Sequence, residues 1–215
     1  HLARIENTEH KLNSFITITS ENALIEAEKA TSEIVEKGVR SPLHGIPIGL
    51  KDLYDTKGVI TTVGSKIYRD RMPLADATVV TKLRKAGAII MGKLQMHEFA
   101  LGATSINPHD GPARNPWDTT RITGGSSGGS GSSVASGQCM GALGTDTGGS
   151  VRIPASLCGI VGMKPSFGRI SRTGVYPLSW TMDTVGPLTR TVEDAAIMLD
   201  GIAGFEPSDK SSVAK

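Results

Sequence analysis

Apolar positions recur along this chain with two different periods. From Ser20 to Glu36 the residues Leu24, Ala27, Ala30 and Ile34 return every three or four positions, with Ser20 placed to cap the start and Gly38 just past the end. That spacing predicts an amphipathic helix buried along one stripe. Gly45 to Leu53 is instead a nearly continuous apolar run broken by Lys51, the pattern of a strand covered on both faces. Thr78 to Ala86 predicts a second helix ending at Gly87, and Ala88 to Gly92 a second compact strand. Cys139 to Leu143 and Gly159 to Met163 repeat the apolar theme, and a last helix starts at Thr191, with Asp194 at its third position and Ala195, Ala196, Met198 and Leu199 on the buried side. Strands alternating with helices predict an α/β fold. Asp118 to Arg121 reads as a poor strand, and Glu206 to Lys215 as a polar tail.

Composition narrows the function classes. The 215 residues leave room for one sizeable core, and 38% hydrophobic with 20% charged residues describes a folded domain rather than a disordered segment. No run approaches the roughly 20 apolar residues of a membrane span, and the first thirty residues lack the apolar core of a signal peptide. A cytoplasmic protein without membrane contact is expected. Lys+Arg 23 against Asp+Glu 21, scattered and accompanied by few aromatic residues, supplies neither the basic stripe nor the stacking platform of direct nucleic-acid binding. Cys139 and Cys158 have no CxxC partner and are expected to be reduced, buried and inert. His1, His10, His44, His97 and His109 show no ligand spacing, so no metal is expected; His97-Glu98 lacks the second His of a zinc helix and reads as a helix-surface pair.

The strongest local bias lies between Thr123 and Ser150, with ten glycines and seven serines in twenty-eight residues. A flexible linker is disfavoured by the interleaved Val134, Ala135, Cys139, Met140 and Leu143, and neither phosphate-binding glycine motif is present. The remaining reading is catalytic, with glycines letting a substrate approach serines closely. Gly124 to Gly128 fits the GxSxG nucleophile elbow, but that elbow needs a strand before it and an acid and then a His after it, and every His precedes Ser126. A serine nucleophile here needs another base. Ser-Lys pairs are the known alternative; the SxxK spacing of Ser212 to Lys215 is read as chance. Lys51 fits, because an apolar strand desolvates its ammonium and lowers its pKa, while Asp52 points to the opposite face.

These segments together resemble the amidase signature family. The resemblance rests on Gly45-Ile-Pro-Ile-Gly-Leu-Lys51-Asp52, Asn115-Pro116-Trp117-Asp118, Gly124-Gly125-Ser126-Ser127-Gly128-Gly129-Ser130 and Gly144-Thr145-Asp146-Thr147-Gly148-Gly149-Ser150-Val151-Arg152. It continues through Pro154-Ala155, Cys158-Gly159, Gly162 to Pro165 and Gly168-Arg169, nearly the whole chain. It implies an α/β/α sandwich around a mixed β-sheet, with residues 1–215 as the N-terminal and catalytic-core part of one domain whose C-terminal part is missing. It implies a triad of Ser150 as nucleophile, Ser126 as shuttle behind a cis Gly125–Ser126 bond, and Lys51 as base. It also implies an oxyanion hole from the backbone N–H groups of Thr147, Gly148, Gly149 and Ser150. Gly125, Ser127, Asp146 and Arg152 are expected to support the loops. Ser130, Ser132, Ser133 and Ser136 are expected in a small-residue helix packed behind them.

The implied reaction is hydrolysis of a carboxamide through an acyl-enzyme, releasing ammonia or amine, with a small-molecule amide as substrate and no cofactor. A stand-alone amidase is the main expectation, because Ile153 stands where the glutaminase subunit of a tRNA-dependent amidotransferase usually has Gln, and Ser179 to Asp183 departs from that subunit's usual stretch. That glutaminase, working with amidotransferase partner subunits, is the alternative. A catalytically inactive binding relative is the second, and self-association is left open.

Overall fold

The computed structural model describes residues 1–213. In chain order its elements are α1 (Leu2–Leu12), β1 (Phe15–Ile18), α2 (Ser20–Lys37), β2 (Pro47–Lys51), α3 (Thr78–Ala86), β3 (Ile89–Leu94), β4 (Ile106–Asn107), β5 (Gly111–Pro112), β6 (Arg114–Asn115), β7 (Asp118–Ile122), α4 (Gly128–Ala135), β8 (Gly141–Asp146), α5 (Arg152–Cys158), β9 (Val161–Gly162), β10 (Thr184–Thr189) and α6 (Val192–Ile202). Six strands form one sheet in the order β1-β3-β2-β8-β10-β9. The central β2 runs parallel to both β3 and β8, while the outer pairs are antiparallel. The expected mixed-sheet α/β fold is therefore present. Parallel pairing aligns the C-terminal ends of β2 and β8, so Lys51 and Asp146 leave the sheet at the same edge, the place where open α/β sheets gather functional groups.

Alternation along the strands sends side chains to two cores. Ile48, Leu50, Ile90 and Leu143 pack with Val79, Val80, Leu83, Met198 and Ile202 of α3 and α6 on one face. Phe15, Ile89, Met91 and Ala142 pack with Ile5, Ala23 and Val134 of α1, α2 and α4 on the other. Strands covered on both sides read as unbroken apolar runs, which is why β2 and β3 are legible in the sequence. Helix α4 lies against the backbone itself: a Cβ on Gly129 would run into the Ser14 carbonyl and the Gln95 backbone.

Several expectations need correction. Thr19 precedes the first turn of α2, so Ser20 is inside the helix; Ala23 and Ala30 are buried, but Leu24 is 53% exposed. In α6, Thr191 accepts the Asp194 N–H as expected, whereas Ala196 faces solvent. Asp118 to Ile122 is a strand after all, paired with β6 in an exposed ribbon whose turn is held by the Asp118 carboxylate on Thr120 and Arg121. Its polar residues suit a two-stranded ribbon that buries neither face. The expected polar tail is bound as far as residue 213: Asp209 accepts the Arg172 N–H at 2.6 Å and Val213 donates to the Gly168 carbonyl at 3.0 Å. Lys215 of the Ser212 to Lys215 pair lies outside the described residues. No helix among the described residues is long and apolar enough to cross a membrane.

Candidate active site

Lys51 ends β2 and is completely buried. Its Nζ donates to Ser126 Oγ at 2.7 Å and to Thr145 Oγ1 at 2.9 Å. Burial pushes the ammonium down to about 7, against the opposing pull of the Asp183 and Asp146 carboxylates. A lysine in that range is partly neutral near pH 7, and a neutral amine can take the Ser126 proton.

The turn entering α4 delivers the two serines that follow Gly125. Gly124 has φ 78°, in the left-handed region that favours glycine. The Gly125–Ser126 peptide bond is cis, as the resemblance implies. The Ser126 carbonyl accepts the His97 N–H at 3.0 Å, and the Ser127 N–H donates to the Ser150 carbonyl at 3.3 Å. Ser127 Oγ lies 3.3 Å from both the N–H and the carbonyl of Thr145. Ser127 thus ties the Ser126 turn to β8 and to the Ser150 loop at once.

The loop from Thr147 to Ser150 wraps Asp146. The Asp146 carboxylate accepts the N–H groups of Gly149 at 2.9 Å and Val151 at 3.2 Å, and both the Nε (3.0 Å) and Nη2 (2.9 Å) of Arg152. Burial alone would raise its pKa; the Arg152 guanidinium and these amides more than offset that and hold the carboxyl below its usual range. The Gly149 N–H is therefore committed, whereas those of Thr147, Gly148 and Ser150 have no acceptor among the described residues. Beside them an open groove of about 340 Å³ is lined by Gly148, Gly149, Arg152, Ile153, Ser156 and Leu157. Ser150 is partly exposed, while Lys51 and Ser126 are sealed.

Four residues of the site were not read from the sequence. Thr145 is a second partner of Lys51, and Asp183 accepts Thr147 Oγ1 at 2.5 Å from just before β10. Lys93, a second buried lysine, pairs with Asp52 at 3.4 Å. His97 is not on a helix surface: it precedes a single 3₁₀ turn (Glu98–Ala100), anchors Ser126, and packs its ring against Gly102. Its imidazole is held below the usual value, chiefly by burial and further by Lys51. The only sequence signals available were Lys93 inside an apolar strand, equivalent to the one that exposed Lys51, and the position of His97 at the end of that strand. Cys139 and Cys158 are free and buried, their thiols pushed up to about 12. Ser130, Ser132 and Ser133 lie in α4 and Ser136 just past its end, all buried, as expected of tight packing.

Comparison with known proteins agrees with this geometry. The amidase family model matches residues 1–215. The A subunit of the glutamyl-tRNA(Gln) amidotransferase of Syntrophus aciditrophicus (strain SB) is 51% identical over 210 residues, covering 98% of this chain and 43% of that protein. A solved chain, described as part of a vestigial protein complex revealing the evolutionary origins of an s-triazine catabolic enzyme, is 47% identical with a TM-score of 0.97, over all of this chain and 47% of that one. The native peptide amidase of Stenotrophomonas maltophilia is 34% identical with a TM-score of 0.93, over 98% of this chain and 45% of that one. The chain spans less than half the length of the curated relatives it matches. With the Lys51, Ser126 and Ser150 loops in their shared framework, the chain belongs to the amidase family.

Proposed function

We propose that this chain carries the amide-hydrolysing centre of a glutaminase subunit of the tRNA-dependent amidotransferase kind. The observation that carries the hydrolytic reading is the buried contact of 2.7 Å between Lys51 Nζ and Ser126 Oγ. Ser150 Oγ attacks the amide carbon; its proton passes through Ser126 to neutral Lys51, and the developing oxyanion is received by the free N–H groups of Thr147, Gly148 and Ser150. The C–N bond then breaks, Lys51 returns the proton through Ser126 to the leaving nitrogen, and water hydrolyses the acyl group on Ser150. Gly125, Ser127, Asp146 and Arg152 hold these loops in register. The 51% identity to an amidotransferase glutaminase-type relative supports this assignment over a stand-alone amidase. Ile153, beside Gly149 in the groove, supports the stand-alone amidase as a second reading.

Peptide mapping after treatment with a fluorophosphonate probe tests the hydrolytic reading, with Lys51→Ala as control. A single adduct on Ser150 that is lost in the control is expected; no adduct on the folded chain would overturn this reading and favour an inactive binding relative. Ammonia release from glutamine that rises with partner subunits and tRNA separates the glutaminase from an amidase acting unaided on simple amides.

A further inference from the structure

Asp183 sits at the start of the last long strand and is almost fully buried. Its Oδ1 accepts Thr147 Oγ1–H at 2.5 Å, and its Oδ2 accepts the N–H groups of Leu178 at 2.8 Å and Ser179 at 2.9 Å. One carboxylate therefore joins the loop after β8 to the segment leading into β10. The loop it grips is Thr147-Gly148-Gly149-Ser150, and a Cβ on Gly148 would meet nothing within 4 Å. Such a stretch has no side-chain packing of its own to fix where its amides point. Asp146 holds the loop from Gly149 onward; Asp183 holds its first residue.

The two carboxylates differ in compensation. Asp146 is paired with Arg152, whereas Asp183 has no ion-pair partner among the described residues. The charged groups that act on Lys51 are Asp146 from β8, Asp183 from the segment before β10, and His97 from the turn after β3; Asp52 and Lys93 face each other. A proton arriving on Lys51 therefore meets the field of Asp183, which no adjacent cation cancels.

We propose that Asp183 is a positioning residue of this site: through Thr147 it orients the amides of the loop beside Ser150, and through its charge it stabilises the protonated form of Lys51. The assignment rests on the hydrolytic reading for its purpose, but its two physical consequences are measurable without turnover.

The test is NMR of the 215-residue chain with lysine Cε and backbone amides labelled, comparing wild type, Asp183→Asn, Thr147→Val and Thr147→Ser. In Asp183→Asn the Lys51 midpoint is expected to fall by at least about half a unit, as loss of a nearby opposite charge requires, and the Thr147 and Gly148 amide signals are expected to move. Thr147→Val keeps the charge and loses the hydrogen bond, so it should move the Gly148 amide without moving Lys51; Thr147→Ser should restore the wild-type signals. An unchanged Lys51 midpoint in folded Asp183→Asn overturns the proposal. Where Asp183→Asn does not fold, an unmoved Gly148 amide in Thr147→Val overturns it. Fluorophosphonate labelling of Ser150 separates the two levels: a normal Lys51 shift without labelling counts against hydrolysis alone, and labelling with an unshifted Lys51 counts against Asp183 alone.

Discussion

Asp52 directly follows Lys51, yet its carboxylate turns to Lys93, Oδ1 lying 3.4 Å from Nζ. Neighbouring residues of a strand point to opposite faces, so the pair divides the local charge into two separate environments. Lys93 also donates to the Tyr54 carbonyl and Thr61 Oγ1, both at 2.6 Å, and Asp52 Oδ2 accepts the Thr62 N–H at 2.9 Å. The carboxylate nearest in sequence is thereby occupied. Lys51 keeps only two hydroxyls as hydrogen-bond partners, which leaves desolvation free to favour its neutral form.

Lys93→Met strands the Asp52 carboxylate in the core. Removing one partner of a buried pair is expected to cost about 3–5 kcal/mol, read as a lowered denaturant midpoint. The double variant Lys93→Met/Asp52→Asn should recover part of it. A midpoint equal to wild type would mean that the pair contributes nothing to the fold.

Acylation of Ser150 should follow the neutral fraction of Lys51. With that amine at about 7, the fluorophosphonate rate is expected to rise roughly tenfold per pH unit below the midpoint and to level off above it. A rate independent of pH across neutrality would argue that Lys51 is not the base.

The same group makes stability depend on pH. Its value in the folded chain, about 7, lies below its ordinary 10.5, so between these limits the unfolded chain binds a proton that the folded chain lacks. Stability therefore rises with pH from about 7 to 10.5, and the cost is complete below about 7. Lys51→Met should exceed wild type in stability at neutral pH, with the gap closing toward pH 10. Denaturant titrations showing a constant gap would contradict the burial argument.

Asp146→Asn removes the charge around which the Ser150 loop is folded. Misplaced loop amides are expected to slow acylation about 10²-fold while the sheet survives, since Asp146 is the last residue of its strand. Circular dichroism together with labelling rates checks this; an unaffected rate would make the wrapped carboxylate incidental.

Gly129→Ala places a methyl against the backbone of Ser14 and Gln95. Neither backbone segment can yield as a flexible side chain would, so a loss of about 1–3 kcal/mol or more is expected. A thermal melt equal to wild type would show that α4 can shift without consequence.

Much of the fold is readable in one dimension. Helix α3 and its stop at Gly87 match the sequence reading to the residue, because spacing and a left-handed cap are local properties. Strand β10 does not: Gly186 and Pro187 disguise six buried residues whose partner is β8, some forty positions earlier. The exposed face of Leu24 is likewise invisible, since periodicity defines a stripe without saying which edge of it meets the core.

The site divides along the same line. Sequence by itself determined that Lys51 would be desolvated, that the serines lay in glycine-rich turns, and that no His followed them to serve as base, because burial of an apolar strand and residue order need no partner to be known. Tertiary structure alone decided that Thr145 shares Lys51 with Ser126, that the Gly149 amide is spent on Asp146, and that Asp183 reaches Thr147 across thirty-six positions. Those are hydrogen bonds between distant segments. Their geometry exists only once β2, β8 and β10 are laid side by side.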